Sequence, residues 1–275
     1  MIASGDKLKT PSLPSVPRAL EVLEYIASSP SGLKLTQLTR VLGFPRSTVH
    51  CLLLTLERAG YIQRTSIRGP YVCGVRLLEL SGKALAGSSL REVAMPALRN
   101  LLQRTRLVVH MAMLERDQVT IIAQLAPHGS RLMTSVGQRM EVHCTALGKA
   151  IAAHLPEERI AEILRARALT PHNERTIVSP RRFNDELAAS RQRGYAIDDE
   201  EDAIGYRCLA APILDAGGTP IAAVSLMGTT LQISDENAAG LAAELIRAAS
   251  RISDTFRDDK DICEVSAAPA SQRLA

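Results

Sequence analysis

Residues 35–71 constrain the fold more than any other part of the chain. They hold two short helical patterns split by the turn Gly43-Phe44-Pro45, then two extended runs around a basic, glycine-containing turn. The second helical pattern runs from about Arg46 to Ala59, and Gly60 supplies its stop. Val49, Leu52, Leu53 and Leu56 recur at helical spacing and form one apolar stripe. Ser47, Cys51, Leu54, Thr55 and Arg58 lie opposite, with Arg46 and His50 on the flank. A helix pinned by its stripe presents that other face outward, and a short polar N-terminal end suits the major groove of duplex DNA. An amphipathic core helix would carry the same stripe, so the helix alone leaves both readings open.

The segment that follows separates them. Tyr61–Arg64 and Pro70–Cys73 read as strands of a hairpin around Thr65-Ser66-Ile67-Arg68-Gly69. Arg64 and Arg68 sit where a cation reaches a phosphate or the minor groove, and a purely structural hairpin needs neither. The order is a helix-turn-helix followed by a wing. Charge divides the same way: residues 1–76 carry ten Lys+Arg against four Asp+Glu, and residues 77–275 carry 23 against 25. A head of +6 on a body of −2 confines phosphate contact to the head. With no Trp, three Phe and five Tyr, the chain lacks a stacking platform for single strands.

The 275 residues are 46% hydrophobic, enough for a large core, and the charge step argues for two domains. No run of apolar residues is long enough to cross a membrane, and residues 1–10 lack the apolar core of a signal peptide, so a cytosolic protein without a membrane partner is expected. Cys51, Cys73, Cys144, Cys208 and Cys263 form no CxxC pair, which fits reduced thiols.

Along the chain, residues 1–15 read as a flexible arm whose Lys7 and Lys9 can touch phosphate, and residues 16–75 as the DNA-binding domain. Its helices are expected at Arg18–Ser28 and, behind Thr36 as N-cap, at Gln37–Leu42. A leucine-rich helix, Val75–Ala86, reads as a linker (residues 76–90) able to pack against a second protomer. In the body, residues 91–257, helices are expected at Glu92–Gln103, Ala146–His154, Glu157–Ala166, Pro180–Arg193 and Ser234–Phe256. Strands are expected at Val108–Leu114, Val119–Leu125, Arg131–Val136, Tyr195–Asp198, Cys208–Leu214 and Pro220–Met227, the last two joined by Ala216-Gly217-Gly218. Residues 258–275 read as a disordered tail. The class is α+β: an antiparallel sheet with helices on one or both sides.

Within the body, His143-Cys144-Thr145-Ala146-Leu147-Gly148-Lys149-Ala150 leads small residues from a loop into a helix, whose first N–H groups can hold an anion. The acidic run Asp198–Asp202 and the strands bearing Cys208 and Ser225 can complete a pocket. Each part also has a plainer explanation, since small residues serve close packing, acidic runs are commonly solvated and a lone cysteine is commonly a small hydrophobe.

Four stretches resemble the IclR family of bacterial transcription regulators over nearly the whole length: Arg46–His50, Gly69–Gly74, His143–Ala150, and the series Arg193–Glu201, Cys208–Ile213 and Ala222–Gly228. The resemblance implies an N-terminal winged helix-turn-helix, a linker helix that helps form the dimer, and a C-terminal effector domain related to GAF and PAS folds. It implies double-stranded operator DNA as partner, contacted from Arg46, Ser47, Thr48, His50, Cys51, Thr55, Arg64 and Arg68, and self-assembly as a dimer or dimer of dimers. It also implies a small carboxylate effector, organic or aromatic, held at Ala146 and Leu147 (backbone), Asp198, Cys208, Ser225 and Met227. Repression is the commoner outcome in such a family. Three departures matter: Met227 stands where members binding small oxoacids have Ser, which favours a more apolar or aromatic acid, Cys51 stands where Arg is common, and Leu54 where a smaller residue is usual.

Two rival readings remain at this level. An enzyme could use Cys208 or Cys144 as nucleophile with His143 as base and Asp198 orienting it, and His143-Cys144 could mark a metal; no complete catalytic motif is present, and no third ligand stands at a metal-binding spacing, so neither enzyme, cofactor nor metal is expected. A DNA-binding scaffold whose body only oligomerises is the other.

Overall fold

The computed structural model describes residues 13–86, 89–130 and 132–258. The chain forms two compact units that divide between Gly87 and Ser88. The expected arm, with Lys7 and Lys9, and the expected tail, with Cys263, lie almost wholly outside the described residues.

The first unit holds α1 (Ser15–Ala27), α2 (Leu35–Leu42), α3 (Arg46–Arg58), β1 (Ile62–Arg64), β2 (Tyr71–Cys73) and α4 (Val75–Ala86). Helix α1 starts three residues before the expected Arg18, because Pro17 falls in its first turn, where a missing N–H breaks no bond. Thr36 is not the cap of α2. The helix begins at Leu35 and the Gln37 side chain accepts the Lys34 N–H at 2.8 Å, so a glutamine three residues in closes the helix start instead. Gly43 ends α2 in the left-handed conformation. The stripe read on α3 is the buried one: Val49, Leu52 and Leu53 pack with Val22, Ile26, Leu38, Ile62 and Tyr71. Tyr71 also exchanges backbone hydrogen bonds with Leu33, which ties the wing to the helices. Gly32 permits this: a Cβ there would stand 2.4 Å from the Tyr71 carbonyl oxygen.

The second unit holds α5 (Ser89–Thr105), β3 (Val108–Glu115), β4 (Gln118–Leu125), β5 (Arg139–Glu141), α6 (Ala146–Ala152), α7 (Glu157–Ala166), α8 (Pro180–Arg193), β6 (Ala196–Asp199), β7 (Tyr206–Leu214), β8 (Pro220–Thr229) and α9 (Asp235–Asp258). The strands form one antiparallel sheet in the order β5-β4-β3-β8-β7-β6. Helices cover both faces: α5 and α9 lie over a core of Leu98, Met111, Leu226 and Leu245, while α6 and α8 lie over Ala112, Ala210, Ala223 and Phe183. Of the strand expected over 131–136, the described residues 132–136 form none. Residues 132–138 run as loop and turn; the first backbone bonds to β4 come at its end, where Gly137, at positive φ, donates to the Ile121 carbonyl at 2.7 Å, and strand pairing starts at Arg139. The turn between β7 and β8 is organised by Asp215, whose carboxylate accepts the N–H groups of Gly217 and Thr219, both at 2.8 Å. Among the described residues no helix is long and apolar enough to cross a membrane.

Antiparallel register brings distant residues into rows. Met227 pairs with Cys208 and Cys208 with Asp198; one step along, His110 pairs with Ser225 and Ser225 with Ala210. Side chains two apart in a strand share a face, so these rows line the same side of the sheet beneath α6.

Candidate functional site

In the first unit, the start of α2, the start of α3 and the wing enclose an open groove of about 660 Å³. Lys34, Arg46, His50, Arg64 and Arg68 line it with Ser47 and Tyr71, and no acid does. Arg46, Ser47, His50, Cys51 and Thr55 are exposed on α3 and Thr48 is half-buried. The Thr55 hydroxyl donates to the Cys51 carbonyl at 2.8 Å, so it is satisfied within its own helix. The wing arginines differ. Arg64 stacks 4.6 Å over the Tyr71 ring, donates to the Ile67 carbonyl at 2.9 Å and to the Tyr71 hydroxyl, and stands 3.8 Å from Glu57. It braces the wing. Arg68 is exposed at the tip. Lys34 and Thr36 were missed as groove residues because spacing marks a helix start without showing which loop it faces.

In the second unit, Ala146, Leu147, Asp198, Cys208, Ser225 and Met227 all line one cavity of about 100 Å³, several times what a single water requires. Thr145 caps α6 by accepting the Gly148 N–H at 3.2 Å, and Ala146 and Leu147, in the first turn where N–H groups have no partner within the helix, line the cavity. Gly148 itself serves packing: a Cβ there would stand 2.4 Å from the Cα and carbonyl oxygen of Val142.

Asp202, from the acidic run, also lines the cavity, as do His110, Thr134, Gln138 and Tyr206, which sequence reasoning passed over. His110 Nε2 stands 2.8 Å from the Thr134 hydroxyl and 3.1 Å from the Gln124 amide nitrogen. Burial lowers its pKa to about 4, so near neutrality the ring is uncharged. Burial raises Asp198 to about 7, an effect opposed by Lys149 and by the Glu201 N–H, which donates to Asp198 at 2.8 Å. A lone histidine in a strand carries no spacing signal, which is why His110 escaped notice.

The arrangement does not assemble a nucleophile. Burial and the nearby Asp198 and Asp202 carboxylates push the Cys208 thiol well above its ordinary range. His143 Nε2 lies 3.0 Å from the Thr170 carbonyl and its Nδ1 faces Glu141 at 3.7 Å, so both ring nitrogens are turned to partners other than a cysteine.

The model of the bacterial transcriptional regulator IclR C-terminal domain matches residues 82–254, and that of the IclR helix-turn-helix domain matches residues 15–66. The chain belongs to the IclR family of bacterial transcriptional regulators. It is 34% identical over 246 residues to the transcriptional repressor IclR of Escherichia coli, a match covering 88% of this chain and 90% of that protein. It is 33% identical to the acetate operon repressor of Salmonella typhimurium, with the same shares covered. Among solved structures, an IclR homologue of Microbacterium hydrocarbonoxydans complexed with 4-hydroxybenzoate superposes with a TM-score of 0.76 at 28% identity, covering 89% of this chain and all of that one. As an IclR-family member the protein is a DNA-binding transcription regulator and not an enzyme.

Proposed function

We propose that this IclR-family regulator is a repressor that works in the cytosol on double-stranded operator DNA and is controlled by a small organic or aromatic acid bound in the cavity of its second unit. The observation that carries the reading is the convergence of Ala146, Leu147, Asp198, Cys208, Ser225 and Met227 on one cavity. Free N–H groups at a helix start and the Ser225 hydroxyl suit a carboxylate, and the thioether of Met227 suits an apolar or aromatic body. Two relatives named as repressors and the homologue complexed with 4-hydroxybenzoate support it. The protein acts as a dimer or dimer of dimers, with the exposed Val75, Leu78 and Leu80 of α4 as the contact. An acid shifts operator affinity only by binding one arrangement of the assembly better than another.

The test is a thermal-shift screen of the full chain against aliphatic and aromatic carboxylates, repeated for Ser225→Ala, with operator binding measured with and without each hit. The reading requires a stabilising acid that weakens operator binding and loses its effect in the variant. Intact DNA binding indifferent to every acid would leave a DNA-binding scaffold whose body only oligomerises.

A further inference from the structure

Beside the cavity, three chain segments far apart in sequence bring together a thiol, two imidazoles and two carboxylates. We propose that Cys144, His172 and Asp202 form a binding site for a zinc-type divalent cation. Cys144 Sγ stands 3.9 Å from Asp202 Oδ1, and His172 Nδ1 stands 3.9 Å from the same oxygen. The three ligand atoms all lie within 4.8 Å of one another. Around a zinc ion with bonds of about 2.0–2.3 Å, tetrahedral ligand atoms stand roughly 3.2–3.8 Å apart, so the two pairs at 3.9 Å close by a few tenths of an ångström and the sulfur–imidazole pair, within 4.8 Å, by up to roughly 1 Å, a movement open to the partly exposed His172 ring.

The surroundings hold these groups as outer-shell partners hold metal ligands. Glu141 Oε2 lies 3.1 Å from His172 Nε2, so a proton on that nitrogen leaves the Nδ1 lone pair for the ion. Asn173 donates to the carbonyls of Glu200 and Glu201 at 2.9 and 3.0 Å, and the Thr176 hydroxyl donates to the Glu201 carbonyl at 2.7 Å. These bonds fasten the loop bearing His172 to the turn bearing Asp202, so the pair is placed by the fold. A thiol, an imidazole and a carboxylate together suit a borderline-soft ion such as zinc better than magnesium or calcium, which take oxygen. Binding releases the Cys144 thiol proton to solvent and leaves a sulfur–metal bond. Three protein ligands leave a fourth position for water or another donor, and Asp202 also lines the cavity.

The test uses the full chain after chelator treatment, titrated with Co²⁺ as optical probe and then with Zn²⁺. The expected result is one Co²⁺ per chain with a near-ultraviolet thiolate-to-cobalt band, displaced by Zn²⁺, and a rise in Tm with Zn²⁺. Cys144→Ser is expected to abolish the band and Cys208→Ser to keep it. His172→Asn, at a position 35% exposed and therefore tolerant of change, is expected to weaken Zn²⁺ binding by more than the roughly 10–100-fold cost of losing an outer-shell partner. A band that survives Cys144→Ser would assign the ion to another of the five cysteines and overturn the proposal, as would Co²⁺ binding without a thiolate band or unchanged Zn²⁺ affinity in His172→Asn.

Discussion

The ammonium of Lys149, wholly buried on α6, is held by the carboxylate of Glu201 on the turn after β6. Their attraction fastens that turn under the helix. Removing one partner strands a buried charge, so Lys149→Met is expected to cost about 3–5 kcal/mol, while Lys149→Met with Glu201→Leu should recover most of it. Urea unfolding of the two variants measures both; equal losses would mean the site is solvated.

Gly148→Ala places a methyl group against the Val142 backbone, which has no side-chain freedom with which to yield. The expected loss is about 1–3 kcal/mol, as for overpacked sites. A variant as stable as the parent in thermal unfolding would show that α6 can lift from that segment.

His110 makes stability depend on pH. Its folded pKa of about 4 lies below the ordinary 6.5, so between those values the unfolded chain binds more protons than the folded one. Stability therefore falls as pH drops through that window, by up to roughly 3 kcal/mol, and is unaffected by this group above it. Denaturation from pH 7 to pH 4 is expected to show a shallower slope for His110→Gln than for the parent. Parallel slopes would mean that the histidine is not buried neutral.

On the head, Arg46→Ala or His50→Ala is expected to cost about 1–3 kcal/mol of operator binding with relaxed sequence preference. Arg68→Ala should weaken all duplexes alike and reduce the salt slope by roughly 0.9. Arg64→Ala acts differently, because Arg64 is engaged by Tyr71, Ile67 and Glu57 and its loss should lower the Tm of the head. Binding titrations at several salt concentrations separate the three; a uniform loss would erase the distinction between base readers and wing brace.

At the cavity, Met227→Ser supplies a hydroxyl where a thioether stood. Affinity for small oxoacids should rise against aromatic acids by about 1 kcal/mol, the usual net value of one hydrogen bond. Calorimetry with one acid of each kind decides it, and an unchanged ratio would remove Met227 from selectivity.

The elements of this protein were legible from residue order because helix and strand burial repeat locally. The stripe Val49, Leu52, Leu53 named the buried face of α3, and the limits of α4, α7 and α8 follow from caps, prolines and glycines within a few residues. The helix start at Ala146, the acidic run and the strands bearing Cys208 and Ser225 could be suspected from residue type alone, and Met227 only through the resemblance; spacing alone had no means to bring residue 146 to residue 227.

What local order could not contain was pairing across the sheet. Whether residues 131–136 would pair with β4 depended on where the chain leaves its turn, and the answer was Arg139–Glu141. Register placed His110 opposite Ser225 and Cys208 opposite Asp198, and loop docking carried His172 and Asp202 to Cys144. Sequence spacing between His143-Cys144 and any further ligand looked wrong for a metal because those contacts close over tens of residues. Periodicity encodes which face a residue takes; only the packed chain, through hydrogen-bond register and long-range burial, decides whom it meets there.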